Sequence, residues 1–259
     1  MTTAARVPLE VAGIQQICKR LHMPTIAAQC ARLAEQAIKE KQSHLIYLES
    51  LLEAELEERE RNVVGRRLKD AHFPKVKTME EFNFEVASHL PVAQLRKLSE
   101  GQYIEKTEPL VFIGDTGTGK THLATALGVA ACRQRRRVRF TTAAELVNDL
   151  IEARQRNEVS RVVNRWLRYE LIVLDEMAYV AMPDAAAELL FQVIAGRAER
   201  AAVIVTTNLP FSEWTTMFPN ARLCKAMVDR LTDQAHIIDT GKESYRLQRT
   251  IAKNKGARR

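Results

Sequence analysis

Over residues 9–71 the apolar positions recur at helical spacing. Val11, Ile14, Ile17 and Leu21 fall three or four apart, Pro24 interrupts the run, and Ala27 to Lys41 is rich in the helix formers Ala, Gln, Glu and Lys. From about Ser43 a third stretch carries Leu48, Leu52, Leu56 and Val63 on one face between dense Glu and Arg. The pattern predicts a small all-helical N-terminal module, residues 1–72, with these stripes as its own core. Residues 73–109 hold Pro74 and Pro91 and follow no clear period, which suggests a linker and lead-in to a second domain. From Leu110 the period changes. Short β-branched runs at 110–113, 138–141, 171–174, 203–207 and 236–239 are separated by helix-like segments. That alternation predicts an α/β domain over 110–241, a parallel sheet flanked by helices on both faces. Thr142-Ala143-Ala144-Glu145 matches a capping box, so a helix is expected to start there.

The first of these strands runs into Gly114, Asp115, Thr116, Gly117, Thr118, Gly119, Lys120 and Thr121, and His122 then opens a helical pattern. G-x-x-x-x-G-K-T between a strand and a helix is a phosphate-binding loop. Its glycines let successive N–H groups turn toward phosphate oxygens, and the helix N-terminus adds positive charge. ATP is the expected ligand, held by residues 114–122, with Lys120 on the β- and γ-phosphates and the Thr121 hydroxyl on Mg²⁺. Asp175 and Glu176 end the fully apolar run Leu171-Ile172-Val173-Leu174, 55 positions after Lys120. A buried parallel strand ending in two carboxylates suits Asp175 as the Mg²⁺ ligand and Glu176 as the group that orients and polarises the attacking water. Asn208, at the end of the next apolar run, is a candidate contact to the γ-phosphate or its water.

Charge adds a second theme. The 259 residues carry 39 Lys plus Arg against 32 Asp plus Glu, a net charge of +7. The 242–259 tail alone holds seven basic residues and one acid, Glu243, and two further basic clusters lie at 66–77 and 133–139. Such patches suit a polyanion, duplex DNA above all, since an aromatic content of 6% is low for a base-stacking platform. For the tail taken alone, a solvated disordered segment is an equal reading. The stretch from Glu152 to Glu170 places Arg154, Arg161, Arg165 and Arg168 at offsets that share one side of a continuous helix, a candidate DNA-binding face; a solvated face paired with Glu158 and Glu170 is the competing reading. Cys18, Cys30, Cys132 and Cys224 form no C-x-x-C pair or Cys/His cluster and read as reduced thiols of a cytoplasmic protein, and no signal peptide or membrane span is apparent.

The phosphate loop, the Leu-Asp-Glu strand, the Thr206-Thr207-Asn208 strand end and Met227-Val228-Asp229-Arg230-Leu231 together resemble the AAA+ ATPases of the DnaC/IstB clade, over roughly residues 75 to 250. With the helical module and Thr78-Met79-Glu80-Glu81-Phe82 ahead of the core, the chain looks most like the IstB type, which assists a transposase of insertion elements. The resemblance implies that Asn208 is the first sensor and Arg230 an arginine finger acting on a neighbouring subunit's ATP, with Arg222 as the fallback. It implies head-to-tail self-association into a ring or helix, DNA binding through a helical insertion near residues 152–170, and a transposase partner. A DnaC-type replicative helicase loader is the alternative, and a DNA-binding scaffold that keeps nucleotide only structurally is a third reading. Nineteen residues follow Thr240, so no full C-terminal lid is expected, and Arg246 is the candidate second sensor.

Overall fold

The computed structural model describes residues 9–177, 182–218 and 220–245. It divides into two units, Met1–Gly65 and Arg66–Arg259.

The first unit holds α1 (Leu9–Arg20), α2 (Pro24–Lys39) and the part of α3 (His44–Ala71) up to Gly65. Pro24 starts α2, where its fixed φ suits the helix and its missing N–H costs nothing. The next two N–H groups, of Thr25 and Ile26, donate to one oxygen of the buried Glu55 carboxylate at 2.9 and 3.2 Å. Arg59 bonds the other oxygen at 2.9 Å and the His22 carbonyl at 2.6 Å, so an acid from α3 caps α2 and is itself held in place. The core here is Cys18, Ile26, Cys30 and Leu51, with Val11, Met23, Ala27, Leu33 and Tyr47 against it. The expected stripes are therefore corrected: Ile14, Ile17, Leu21, Leu48, Leu52 and Leu56 are 40–58% exposed. Small side chains such as Cys18, Cys30 and Ala27 let the helices approach closely, and the Glu55 cap ties that face of α3 to α2. The bulkier apolar face is left outside.

The second unit is a five-stranded, all-parallel sheet in the order β2-β3-β4-β1-β5, with β1 Leu110–Ile113, β2 Val138–Thr142, β3 Leu171–Met177, β4 Ala202–Thr207 and β5 His236–Asp239. One face, with Phe112, Val173 and Ile204, packs on α6 (Lys120–Arg133) through Leu123, Leu127 and Ala131. The other, with Val111, Ile172, Leu174 and Val205, packs on α7 (Ala143–Gln155), α9 (Asp184–Arg197) and α10 (Ala221–Thr232). Strands apolar on both faces are what burial between two helical layers requires. The stretch expected to be linker and lead-in carries α4 (Val92–Ser99) and α5 (Gln102–Glu105), and Leu90, Leu95, Leu98, Tyr103 and Ile104 join the α6 face. With one or two turns each, these helices are too short to establish a period in sequence. The Thr142 hydroxyl accepts from the Glu145 N–H at 3.1 Å and the Glu145 carboxylate from the Thr142 N–H at 3.0 Å, a complete capping box on α7.

The continuous helix expected over 152–170 is not present. α7 ends at Gln155, Asn157 takes a left-handed φ of 58°, and α8 (Val159–Trp166) starts anew. Asn tolerates that conformation and so makes the break cheap. Buried Arg197 then fixes the way into β3 and β4: its guanidinium donates to the Trp166 and Tyr169 carbonyls at 2.7 and 3.0 Å and to Ala202 at 2.7 Å.

Candidate nucleotide site

Because β4 lies between β1 and β3, the C-terminal ends of the three strands bring the phosphate loop, Asn208 and Asp175/Glu176 to one edge of the sheet. The Gly114 N–H donates to Thr207 O at 3.3 Å and the Asp115 N–H to Gly241 O at 3.0 Å, so the ends of β4 and β5 brace the loop. Gly119 has φ 99°, open to glycine alone at low cost, and a Cβ there would come within 2.6 Å of the Phe82 ring. Inside the loop Lys120 Nζ donates to the Gly114 and Asp115 carbonyls at 2.6 and 2.8 Å, which holds the ammonium across the loop mouth. Thr118, buried, bonds Asp115 O at 2.8 Å and the Thr240 hydroxyl at 2.7 Å.

At the end of β3 the register against β4 shifts between Leu174 and Met177. Asp175 is buried and accepts from the Thr121 hydroxyl at 3.0 and 3.1 Å and from Thr206 at 2.5 Å. Glu176 is exposed and has a left-handed φ of 59°, a conformation that costs a non-glycine residue roughly 1–2 kcal/mol. Its N–H is received by the Thr206 hydroxyl at 3.0 Å. Adjacent acids thus point to different tasks: one is fixed beside the loop, the other is presented to solvent.

A cavity of 670 Å³ opens over the loop, lined by Gly117 to His122 together with Lys75, Phe82, His89 and Tyr245. Phe82 packs edge-on to the His122 ring at 5.2 Å, and His122 Nε2 lies 2.9 Å from the Thr78 carbonyl. Burial pushes the His122 pKa down, helped by the Lys77 charge, although the Thr78 contact and Glu81 oppose it. Burial thus favours the uncharged imidazole beside the phosphate loop. Sequence reasoning missed the walls contributed by residues 75–89 and 240–245, and also Thr206. Their signal, two aromatics and a few polar residues in aperiodic segments, has no spacing that announces a pocket.

The residue expected to be an arginine finger is not at this edge. Arg230 is exposed in the last turn of α10 and lines a second cavity, of 520 Å³, with Lys106, Pro109, Arg197 and Asp229, at the end of the sheet where β1, β4 and β5 begin. Its own phosphate loop is at the opposite end. Arg222, exposed, stands in the first turn of α10, which Asn220 caps. Arg154, Arg161, Arg165 and Arg168 are all exposed but divided among α7, α8 and the turn after it, and Arg161 and Arg165 pair with Glu158 and Asp149 at 2.8 and 3.1 Å. In the 133–139 cluster Arg136 and Arg137 pair with Glu105 and Glu170 at 2.6 and 3.4 Å. Arg246 and most of the basic tail lie outside the described residues. The four cysteines are free and buried, and among the described residues no helix is long and apolar enough to cross a membrane.

A parallel sheet with a phosphate loop after β1, an Asp-Glu pair at the end of β3 and β4 inserted between them defines a P-loop protein of AAA+ architecture. The initiator DnaA from Aquifex aeolicus, in a structure bound to AMPPCP, superposes with a TM-score of 0.53 at 19% identity, over 64% of this chain and 50% of that one. The DnaC helicase loader gives 0.50 at 19% identity over 57% and 86%. Within this class the sequence is more specific: residues 16–253 match the model of the IstB-like ATP binding protein family, and the chain belongs to that family. A relative in Geobacillus stearothermophilus, named for ATP binding in insertion sequence IS5376, is 34% identical over 91% of this chain and 94% of its own length. Another in Pseudomonas aeruginosa, named likewise for insertion sequence IS21, is 33% identical over 91% and 89%.

Proposed function

We propose that the protein is an ATPase that assembles on duplex DNA and assists a transposase in selecting target DNA, with hydrolysis resetting the complex. The observation that carries the reading is the division of labour at the end of β3. Asp175 is buried against Thr121, whereas Glu176 is turned outward by a strained backbone where an attacking water could be oriented. A purely structural nucleotide site needs no such carboxylate. Backbone N–H groups of residues 114–122 and the Lys120 ammonium would receive the phosphates, and Asn208 would contact the γ-phosphate or its water. The hydroxyl of Thr121 and the carboxylate of Asp175, hard oxygens 3.0 Å apart, fit Mg²⁺. Bound there, the ion would neutralise charge across the β- and γ-phosphates.

Arg230, remote from its own loop, suits an arginine finger supplied to the next subunit, and a heterologous head-to-tail contact of that kind builds rings or helices. Arg154, Arg161, Arg165 and Arg168 supply exposed positive charge for phosphate contacts; the pairs that two of them make are surface ion pairs worth under about 1 kcal/mol and exchangeable for phosphate. A helicase loader would use the same ATPase core, but relatives named for insertion sequences favour the transposition reading. The test is a pair of variants assayed by nucleotide binding and by sedimentation on long duplex DNA. Lys120→Ala should lose ATP binding; Glu176→Gln should bind ATP and accumulate as the DNA-bound oligomer. Equal loss of ATP affinity in both would remove the role given to Glu176.

A further inference from the structure

We infer that Thr206 is a positioning residue of this site, its one hydroxyl setting the direction of both carboxylates at the end of β3. The inference rests on the hydrolytic reading above. Leu174 opposes Val205 and Met177 opposes Thr207, so two residues of β3, Asp175 and Glu176, face the single residue Thr206 of β4. Such a bulge deprives a backbone group of its ladder partner and re-aims a side chain.

Here the missing partner is supplied by a side chain. The Thr206 hydroxyl accepts the Glu176 N–H at 3.0 Å and gives its own proton to Asp175 Oδ1 at 2.5 Å. The directions are fixed by chemistry, since an amide can only donate and a carboxylate only accept. Thr206 is 1% exposed, so water cannot readily replace it. Through Asp175 the chain of contacts reaches Thr121 on α6, and it links the phosphate-loop helix to the backbone that turns Glu176 outward. Without the hydroxyl, the left-handed φ of Glu176 loses the hydrogen bond that its N–H makes there. Relaxation of that residue to an extended conformation would swing its side chain to the other face of the strand. Asp175 would at the same time lose its shortest hydrogen bond.

The experiment compares phosphate release, ATP affinity and thermal unfolding in the full chain carrying Thr206→Val, Thr206→Ser or Thr206→Ala, each with duplex DNA present. Val keeps the shape and removes the hydroxyl; kcat should fall on the order of 10²-fold, the loss expected when a reacting group is misplaced by about 1 Å. ATP affinity measured without Mg²⁺ should stay within about threefold, because Lys120 and the loop N–H groups given to the phosphates are untouched. Ser, which retains the hydroxyl, should restore turnover, and Ala should not. Equal losses in Ser and Ala would overturn the inference, since the methyl group and its packing would then be what matters. So would a Val variant with unchanged kcat. If the unsubstituted chain releases no phosphate, the hydrolytic reading itself fails, an outcome distinct from either of these.

Discussion

Replacing Arg197 with Met removes a guanidinium that is 1% exposed and donates to three main-chain carbonyls, those of Trp166, Tyr169 and Ala202. Burial pushes its pKa down to about 9, so at pH 7 it remains the charged donor these carbonyls need. A hydrogen bond to a charged group contributes about 1.5–3 kcal/mol, which puts three of them at roughly 4–9 kcal/mol gross. Against this stands the desolvation of a buried cation, several kcal/mol, which Met relieves while filling much of the same volume. Part of the guanidinium's capacity is unused, since Nε has no partner among the described residues. The net loss should be about 3 kcal/mol, a large share of a typical total stability of 5–15 kcal/mol. For a domain of this size that is a fall in Tm of about 6–12 °C. Urea unfolding and thermal circular dichroism would measure it, with ATP affinity at 15 °C expected to be unchanged because the phosphate loop is at the other end of the sheet. A destabilisation below about 0.5 kcal/mol, the range of ordinary surface substitutions, would refute the reasoning.

Three further outcomes follow from the geometry. Arg230→Ala should retain nucleotide binding and lose turnover by about 10³-fold, and mixing it with Glu176→Gln should restore some phosphate release; specific activity insensitive to mixing would contradict a finger acting in trans. Burial raises the Glu55 pKa, but the Arg59 hydrogen bond, the Ile26 and Thr25 amides and the Arg59 charge together bring it below the ordinary glutamate value. Its stabilisation is therefore present above the unfolded pKa and lost as pH falls through the folded one. Glu55→Gln should cost about 1–2 kcal/mol at pH 7, and its difference from the unsubstituted chain should vanish on acidification, as thermal unfolding against pH will report. Replacing Arg154, Arg161, Arg165 and Arg168 by Ala should weaken binding to all duplex sequences alike and flatten the salt dependence by about 0.9 log units per lost phosphate contact. An unchanged slope, with a large drop on deletion after Gly241, would move the DNA site to the tail.

What could be read in the chain depended on how strongly each segment repeats a physical constraint. Strands buried on both faces leave unbroken apolar runs, as β1, β4 and the start of β3 do; β2 and β5 are less apolar and are marked by short β-branched or aromatic runs, and Thr142 to Glu145 announced α7 because a capping box is local chemistry. Periodicity and composition identified α1 to α3 as helices, but the apolar stripes read on α1 and α3 are largely exposed. Hydrophobicity alone ranks Leu48, Leu52 and Leu56 above Cys18 and Cys30, whereas close approach and the Glu55 cap favour the small residues. The extrapolated arginine face failed at a single residue, Asn157, whose left-handed backbone no offset count registers. The phosphate loop and the Asp175-Glu176 pair are legible because their chemistry is packed into contiguous residues. The cavity walls at Phe82, His89 and Tyr245 and the hydroxyl of Thr206 are not, since they meet only through tertiary packing.

The most direct test of the central claim is phosphate release from ATP and Mg²⁺ by the full chain, with and without a long duplex, beside Glu176→Gln under the same conditions. Hydrolysis that depends on duplex DNA, with binding retained and turnover lost in Glu176→Gln, is the expected result. ATP bound tightly but never hydrolysed, with DNA binding indifferent to nucleotide, would contradict the account and leave a nucleotide that serves only to hold the fold together.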